Sequence, residues 1–416
     1  MYFLGFYYQN FDTSKYSQSI HYYNLFLNQI DETPFSSLKM NSTKKNYLYQ
    51  QTRTNALYNL GYMYENGCGT NIDLLKAIEY YKLATQQKDS YSLTILGSIY
   101  LKGLCGIKDY TNAKKCFEIA AEQNDSNALN NLGTMYLNGF GVNQDFLKAK
   151  ECFEKAANFC HSMAILNLGF MFEKGYGVDQ SYLKAKYYYE ISAKLKNSDA
   201  MYNLGVLYEN GFGVKKDYLK AKEFYESSSK LNNANAFLNL GNLYIYGRGV
   251  DKNVPLGEKY YKLSAKLNNS SAYYNLGNLY LRGYGVVKNI SQAIEYFELA
   301  AKAKNIKALE YLGFAYLYGD FGEKNYIKAR EHLETLLTIS PNNSEALFGL
   351  GSIYQYGFGV KNDYALAKQY YERAASLNNS HAFASLGELY FNGFGCRKNY
   401  LKAKEFYEKA ANLGEK

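Results

Sequence analysis

The chain holds few residues whose types and spacing are suited to catalysis. Its four histidines, His21, His161, His332 and His381, are scattered, and no H-E-x-x-H or C-x-x-C motif is present. The loops that read GFGV contain G-x-G, but they lack the third glycine and the preceding strand of a dinucleotide-binding motif. The sequence therefore predicts a protein without catalytic residues, cofactor or bound metal.

The cysteines do not form a regular framework. The six are Cys68, Cys105, Cys116, Cys152, Cys160 and Cys396. Only Cys152 and Cys160 form a C-x7-C pair, and the other cysteines mostly do not recur at a regular spacing along the chain. This usage predicts free thiols in a reducing compartment. Because the start, MYFLGFYYQN, lacks the features of a signal peptide, we expect a cytoplasmic location.

Charge and hydropathy exclude two classes of partner. The formal net charge is +9, but lysines stand beside glutamates throughout the chain and no basic block stands out. This pattern argues against nucleic-acid binding. No apolar run approaches the length of about 18 residues that would suggest a membrane span.

The dominant feature is an internal repeat. Residues 128–157 read ALNNLGTMYLNGFGVNQDFLKAKECFEKAA, and residues 200–229 read AMYNLGVLYENGFGVKKDYLKAKEFYESSS. Ten Leu-Gly pairs mark the repeats, and they are spaced by 36 residues except for one step of 38. The glycines are Gly61, Gly97, Gly133, Gly169, Gly205, Gly241, Gly277, Gly313, Gly351 and Gly387. Such periodicity predicts a stack of small structural units.

The first half of each repeat predicts an amphipathic helix that ends at a glycine. In repeat five, Ala200, Leu204 and Tyr208 have the helical spacing of one apolar face. Gly205 lies inside this helix at a cost of about 1 kcal/mol relative to Ala, so we expect a neighbouring helix to approach it closely. In the loop, the first glycine, Gly175, Gly211 or Gly247 in three of the repeats, should have a positive φ.

The second half predicts another helix. Asp217 is placed to cap its start. We expect Leu219, Ala221, Tyr225 and Ser228 to be buried. On the opposite face, Lys222 and Glu226 have the i,i+4 spacing of an ion pair.

The pattern A-x3-L-G-x2-Y-x2-G-x-G-V-x6-A-x3-[FY]-x2-A-A resembles the Sel1-like repeat, a relative of the tetratricopeptide repeat. The resemblance covers residues 56–416, as ten repeats of about 36 residues. It implies an all-α fold, a right-handed α-solenoid of stacked helix-loop-helix units. Two repeats depart from the pattern: Cys105 replaces the second loop glycine of repeat two, and repeat eight is longer, with Pro341 in its turn.

The N-terminal region echoes the repeat weakly. FLGFYYQN at 3–10 matches NLGYMYEN at 59–66, so residues 1–31 are predicted to be a degenerate repeat. Residues 32–55 are predicted to join this region to the first repeat. They begin with a polar connector that runs to residue 44, and a lead-in helix follows.

The resemblance implies a non-catalytic scaffold or adaptor for protein partners. By analogy with the tetratricopeptide superhelix, the first helices line a concave surface that can bind a protein or an extended peptide. The positions that the repeat leaves free supply Asn, aromatic and Arg side chains, which suit such a surface. The candidate partner-binding residues are Asn167, Asn203, Asn239, Asn275, Tyr202, Tyr246, Tyr274 and Arg282.

Other interpretations stay open. The same Asn and Tyr residues have a structural explanation, since Asn before Leu-Gly is common in this repeat and the whole chain is rich in Tyr. The Cys152 and Cys160 pair resembles the cysteine-rich Sel1-like proteins, secreted proteins to which penicillin binding or β-lactamase activity has been ascribed. A third possibility is a regulatory subunit of an enzyme on another chain. The sequence does not decide the oligomeric state.

Overall fold

The computed structural model describes residues 2, 5, 6, 9, 15–30, 42–86, 89–104 and 106–414. Over these residues the chain forms 21 helices of four residues or more and no strand, which confirms the predicted all-α class. The helices are α1 (Tyr16–Ile30), α2 (Ser42–Asn66), α3 (Leu74–Thr85), α4 (Ser90–Lys102), α5 (Tyr110–Ala121), α6 (Ser126–Asn138), α7 (Phe146–Ala157), α8 (Ser162–Lys174), α9 (Tyr182–Lys194), α10 (Ser198–Asn210), α11 (Tyr218–Ser229), α12 (Ala234–Tyr246), α13 (Val254–Lys266), α14 (Ser270–Arg282), α15 (Ile290–Lys302), α16 (Ile306–Tyr318), α17 (Tyr326–Ile339), α18 (Ser344–Tyr356), α19 (Tyr364–Ser376), α20 (Ser380–Asn392) and α21 (Tyr400–Gly414).

Packing is mainly between neighbours in the chain, and some first helices of successive repeats also contact each other. Within a repeat the first helix packs on the second, as α8 does on α9, and the second helix packs on the first helix of the next repeat, as α7 does on α8. The chain divides into two units, Met1–Leu207 with Gly211–Lys215, and Tyr208–Asn210 with Lys216–Lys416. Each unit is therefore a stack of helical hairpins with a continuous core, as expected of an α-solenoid.

The helix ends follow the predicted chemistry. Gly175, Gly211 and Gly247 have φ values of 73°, 78° and 65°, which confirms the expected left-handed conformation after each first helix. At the start of α11, the Asp217 side chain accepts a hydrogen bond from the Lys220 backbone N–H at 3.0 Å. This cap satisfies one of the backbone donors that a helix start leaves unpaired.

The glycine inside the first helix makes room for a side chain of the second helix. A Cβ on Gly169 would lie 2.6 Å from the ring of Tyr189, and one on Gly313 would lie 2.6 Å from Leu333. Real Cβ atoms do not approach other atoms so closely. The expectation of a close helix approach is therefore confirmed at these repeats, and it explains why the helix tolerates the glycine.

The second helix of repeat five is mostly as expected. Ala221, Tyr225 and Ser228 are buried, and Lys222 Nζ lies 3.2 Å from Glu226 Oε1. The expected burial of Leu219 is wrong, because its side chain is 60% exposed. Leu219 precedes Ala221 by two residues, which is about 200° around a helix, so it lies on the opposite face.

The structure describes the departure of repeat eight from the common pattern but not that of repeat two. In repeat eight, α17 runs to Ile339 and ends at Ser340, where φ is −131° and Pro341 follows. Most other repeats end their second hairpin helix with a residue at positive φ, such as Asn232 at 59°. The two extra residues of repeat eight thus replace a left-handed turn residue by one with a negative φ. Cys105 of repeat two lies outside the described residues.

At the N-terminus, α2 is one continuous helix of 25 residues that runs into repeat one. Most of the predicted connector lies outside the described residues, since 31–41 are not described. Farther upstream, a Cβ on Gly5 would lie 2.9 Å from the ring of Tyr23, a contact of the same kind as that between Gly169 and Tyr189. This contact supports the degenerate repeat at 1–31, which stays a prediction.

Candidate partner-binding site

The predicted asparagines are tied to the core of the repeat that precedes them. Tyr225 on α11 is fully buried, and its hydroxyl donates to Glu209 Oε2 at 2.6 Å. The same hydroxyl accepts from Asn239 Nδ2 at 3.0 Å. Because a buried hydroxyl without partners is costly, Asn239 and Glu209 together make this core tyrosine possible.

Asn203 and Asn275 have the same role. Asn203 interacts with the Tyr189 hydroxyl, and Asn275 with that of Tyr261, and each interaction lowers the pKa of its tyrosine. Burial raises the pKa of Tyr189 well above its ordinary value, and the charge of Glu173 raises it further. The hydroxyl therefore stays protonated and donates to Glu173 Oε2 at 2.8 Å.

Asn167 differs because the preceding core residue is Phe153, which has no hydroxyl. Its Nδ2 donates instead to Asn130 Oδ1 at 3.0 Å. These contacts favour the structural explanation of the asparagines. That they also bind a peptide backbone stays a prediction.

A pocket of about 390 Å³ lies between the first helices of repeats six and seven, α12 and α14, wholly within the second unit. Tyr261 of α13 and Tyr284 of the loop after α14 also line it. Four of the eight predicted partner-binding residues line it: Tyr246, Tyr274, Asn275 and Arg282. The remaining lining residues are Ile245, Asn278 and Leu279. Aromatic walls with a few convergent polar groups are typical of binding pockets.

The pocket forms where the core pattern changes. In repeats one, four and five, a glutamate nine residues after the leading Ala accepts the hydroxyl of the core tyrosine, as Glu209 does. In repeat six this position is Ile245, and the Tyr261 hydroxyl donates to Asn242 Oδ1 at 2.6 Å. Ile245 and Tyr261 instead supply apolar surface to the pocket.

The charges around the pocket are mainly positive. The Lys252 ammonium lies 4.3 Å from the centre of the Tyr284 ring. The Arg248 guanidinium lies over Tyr246 at 5.2 Å and within 3.5 Å of Glu209. Among the described residues, no carboxylate lies within 4.0 Å of the Arg282 side chain. Arg282 thus presents an uncompensated cation to the pocket.

The other predicted residues lie elsewhere. Asn167, Tyr202 and Asn203 are half-buried on first helices of the first unit. Asn239 belongs to the second unit but does not line this pocket. The structure therefore gathers half of the predicted set at one place.

Sequence reasoning missed two polar lining residues, Asn278 and Tyr284. Asn278 occupies a free position of the first helix, six residues after the leading Ala. Tyr284 stands between the two loop glycines, Gly283 and Gly285. It lies only two residues after Arg282.

The histidines have local structural roles. His161 caps α8, since its Nδ1 accepts from the Ala164 N–H at 3.1 Å, and burial lowers its pKa. His332 stacks on Tyr316 with ring centroids 5.8 Å apart and lies 3.4 Å from Glu298. His381 packs on Phe348, and His21 on its neighbour Tyr22. In the part of the chain that the structure describes, no three His, Cys, Asp or Glu side chains are grouped to hold a metal ion.

The five described cysteines are free thiols. Burial raises the pKa of Cys116 and Cys152 to about 11, which makes both thiols poor nucleophiles. Cys160 is exposed and has a φ of 55°, at the turn position where other repeats have Asn124 or Asn232. These contacts give no support to the paired-cysteine alternative.

The stacked hairpins define the class of this molecule, a helical repeat protein of the α-solenoid type. The family model described as Sel1 repeat matches ten segments, 54–89, 90–125, 126–158, 162–197, 198–233, 235–269, 270–305, 306–335, 344–379 and 382–415. The chain belongs to the Sel1 repeat family. Proteins of this family are generally scaffolds for protein interaction and typically non-catalytic.

Solved structures of Sel1 repeat proteins resemble this fold. The Escherichia coli protein c5321, a protective antigen of uropathogenic strains with an SLR fold, is 25% identical with a TM-score of 0.51, over 90% of this chain and 87% of its own. A Sel1 repeat protein from Oxalobacter formigenes is 28% identical with a TM-score of 0.53, over 59% of this chain and 99% of its own. No curated protein matches the chain. None of the described helices is both long and apolar enough to cross a membrane.

Proposed function

We propose that this chain is a non-catalytic scaffold or adaptor that binds an extended segment of a protein partner. The binding surface is formed by its first helices, which line the concave side in the tetratricopeptide superhelix. The observation that carries the proposal is the pocket between α12 and α14, where Tyr246, Tyr274, Asn275 and Arg282 meet.

The composition of this pocket supports a protein ligand. Tyr and Arg are the residues in which binding energy concentrates at protein interfaces. Tyr246 is 58% exposed and Tyr284 is 41% exposed, so both rings have apolar surface available to a ligand. The volume of about 390 Å³ suits one or two side chains of a peptide rather than a folded domain.

The first helix of the next repeat, α16, carries further aromatic side chains. Tyr311 and Phe314 of α16 are half-buried, and Tyr318, at the end of the same helix, is 57% exposed. A segment that extends beyond the pocket would therefore meet more aromatic surface. Neighbouring helices pack about 8–10 Å apart, so each repeat corresponds to about three residues of an extended chain.

A peptide-binding experiment tests the proposal. Random peptides of about 12 residues, which span about 40 Å when extended, are selected for binding to the purified chain. We expect binders whose dissociation constant rises at least tenfold with Tyr246→Ala and Tyr274→Ala together. The matched control is Lys222→Ala with Lys404→Ala on the second helices, which should leave the dissociation constant unchanged.

Folding of each variant is checked by its melting temperature, because a general loss of structure would also abolish binding. If binding survives the tyrosine pair and is lost with the lysine pair, the partner binds the second helices and the proposal is wrong.

A further inference from the structure

We propose that the pocket between α12 and α14 recognises an acidic side chain, Asp or Glu, of the bound segment, and that Arg282 is its main counter-ion. The inference rests on the proposed function and specifies its ligand. The juxtaposition that carries it is an uncompensated guanidinium in a pocket walled by tyrosines.

Three other arginines of this unit lie near acceptors, and a fourth, Arg397, lines no part of this pocket. Arg248 lies 3.5 Å from Glu209, and Arg330 lies 3.6 Å from Glu334. Arg373 donates to the Pro341 carbonyl oxygen at 3.0 Å. Arg282 has no carboxylate within 4.0 Å among the described residues, although it lines a pocket. A guanidinium favours a carboxylate because its parallel N–H groups match the two oxygens.

Lys252 adds a second cation at the same place. Its ammonium lies over the Tyr284 ring, and no carboxylate of the described residues is within 4.0 Å of it. Arg248 contributes little net charge because Glu209 neutralises it. Asp320 raises the pKa of Tyr311 and Arg282 lowers it, so both charges lie near that ring. The two side chains nevertheless form no ion pair with each other. The balance of charge at the pocket is thus positive and complementary to an acidic ligand.

The walls supply hydrogen-bond donors and a low dielectric. No hydrogen bond to another described residue involves the hydroxyls of Tyr246, Tyr274 and Tyr284. Asn278 donates one amide N–H to the Tyr274 carbonyl at 3.0 Å and keeps the other for a ligand. Apolar walls strengthen the attraction between Arg282 and a carboxylate relative to bulk water.

A side chain within the segment is favoured over a chain end. The first helix on one side of the pocket, α16, presents further aromatic surface, so the segment can continue past Arg282 rather than stop there. Because the acidic residue is fixed at one repeat, it also sets the register of the whole segment on the stack.

The test uses peptides from the selection described above, with acetylated N-termini and amidated C-termini, so that only side chains can carry a carboxylate. We expect Asp or Glu to be enriched at one position. Replacing that residue by Asn or Gln should weaken binding about tenfold, which corresponds to about 1.4 kcal/mol. The same peptide change should have no effect on Arg282→Gln.

The decisive experiment reverses the charge at position 282. Arg282→Glu should reject the acidic peptide and bind the peptide in which Lys replaces the acid. The matched control is Arg373→Gln, which removes a guanidinium from a second helix and should keep the preference for the acid. A peptide with a free C-terminus and no acidic side chain distinguishes a chain end from a side chain.

The outcomes separate the two proposals. If peptides bind and Tyr246→Ala with Tyr274→Ala weakens them, but the acid and its amide bind equally, the acidic specificity is wrong and the scaffold proposal stands. Preference for a free C-terminus over an acidic side chain would also overturn it. If no peptide binds the wild-type chain, both proposals fail.

Discussion

Repeats five and seven build the same core position in opposite ways. In repeat five the buried residue is Tyr225, whose hydroxyl reaches Glu209 at 2.6 Å. In repeat seven it is Phe297, fully buried, and the position that corresponds to Glu209 is Leu281, which packs against the same apolar cluster. The backbone arrangement is the same, but one repeat has a polar core and the other an apolar one.

The same difference recurs along the chain, and the type of the core residue is coupled to the type of its partner on the first helix. Tyrosine occurs with Glu or Gln in four repeats, and Phe or Leu occurs with Leu in four others. The polar-core pairs are Tyr81 with Glu65, Tyr189 with Glu173, Tyr225 with Glu209 and Tyr371 with Gln355. The apolar-core pairs are Phe117 with Leu101, Phe153 with Leu137, Phe297 with Leu281 and Leu333 with Leu317.

The physical reason is that a hydroxyl and its acceptor must be buried together or not at all. Leaving one of them unpaired costs about 1–3 kcal/mol, whereas replacing both by apolar groups is nearly neutral. Eight repeats therefore have a core pair that is either wholly polar or wholly apolar. Repeat ten, with Tyr407 and Phe391, and repeat six, with Tyr261 and Ile245, depart from this coupling, and the candidate binding pocket lies at repeat six. Departures of this kind are expected at functional sites.

The largest effect should come from filling the space beside the core residue. Gly169→Val would place its Cβ 2.6 Å from the ring of Tyr189, which its hydrogen bond to Glu173 holds in place. We expect a loss of about 3 kcal/mol in the free energy of unfolding, measured by urea denaturation. Gly313→Val meets Cδ2 and Cγ of Leu333, a side chain that no hydrogen bond holds, so its loss should be smaller. Equal losses would show that the polar core does not fix the ring.

A smaller effect should follow when a tyrosine hydroxyl is introduced into an apolar core without its acceptor. Phe297→Tyr buries a hydroxyl beside Leu281, and the free energy of unfolding should fall by about 2 kcal/mol. Adding Leu281→Gln supplies the acceptor, as Gln355 does for Tyr371 at 2.7 Å. We expect the double variant to recover at least half of the loss in a double-mutant cycle. A double variant less stable than Phe297→Tyr would contradict the coupling.

The reverse change should cost less. Tyr225→Phe removes the hydroxyl but leaves Glu209 within 3.5 Å of Arg248, so the carboxylate keeps a partner. The expected loss is about 1 kcal/mol, again from urea denaturation. The control is Tyr246→Phe, at a hydroxyl with no hydrogen bond to the described residues, where we expect less than about 0.5 kcal/mol. Similar losses for both variants would mean that the buried hydroxyl contributes nothing.

The smallest effect concerns a helix cap that both kinds of repeat need. Repeat four uses His161 where repeats five and six use Asn197 and Asn233. Since the folded pKa of His161 lies below its ordinary value of 6.5, the unfolded chain binds the proton more readily. The contribution of His161 is present above pH 6.5 and is lost as the pH falls through the folded pKa.

The stability of His161→Asn relative to the wild type should therefore increase when the pH is lowered from 8 to 5. The expected increase is less than about 1 kcal/mol, the usual worth of a cap. The measurement is the melting temperature of both proteins at the two pH values. A difference that does not change with pH would show that the protonation of His161 has no influence on the cap.

Much of the fold could be predicted from the sequence because its signals are local and repeated. The glycine at the end of each first helix, Gly211 for example, needs only its own φ of 78° to act. Asp217 needs only the first turn of α11 for its cap. The spacing of Leu219 to Ala221 also indicates that Leu219 is exposed, and only its apolar type favours burial.

The site could be predicted only in part. Tyr246, Tyr274 and Arg282 were identified by their residue types at free positions, and the structure brings them together. Whether Asn203 faces a ligand or a buried hydroxyl depends on Tyr189, a residue fourteen positions earlier on another helix. That contact has no signature in the Asn-Leu-Gly motif itself.

The sequence by itself determined the class of fold, the number of repeats and the helix ends, because each depends on a few residues within one turn or one repeat. Only the tertiary structure decided which free positions meet in a pocket and which asparagines serve the core. Those outcomes depend on how three helices, α12, α13 and α14, pack around Tyr261. They also depend on which charges, such as Arg282, find no partner once the helices have packed.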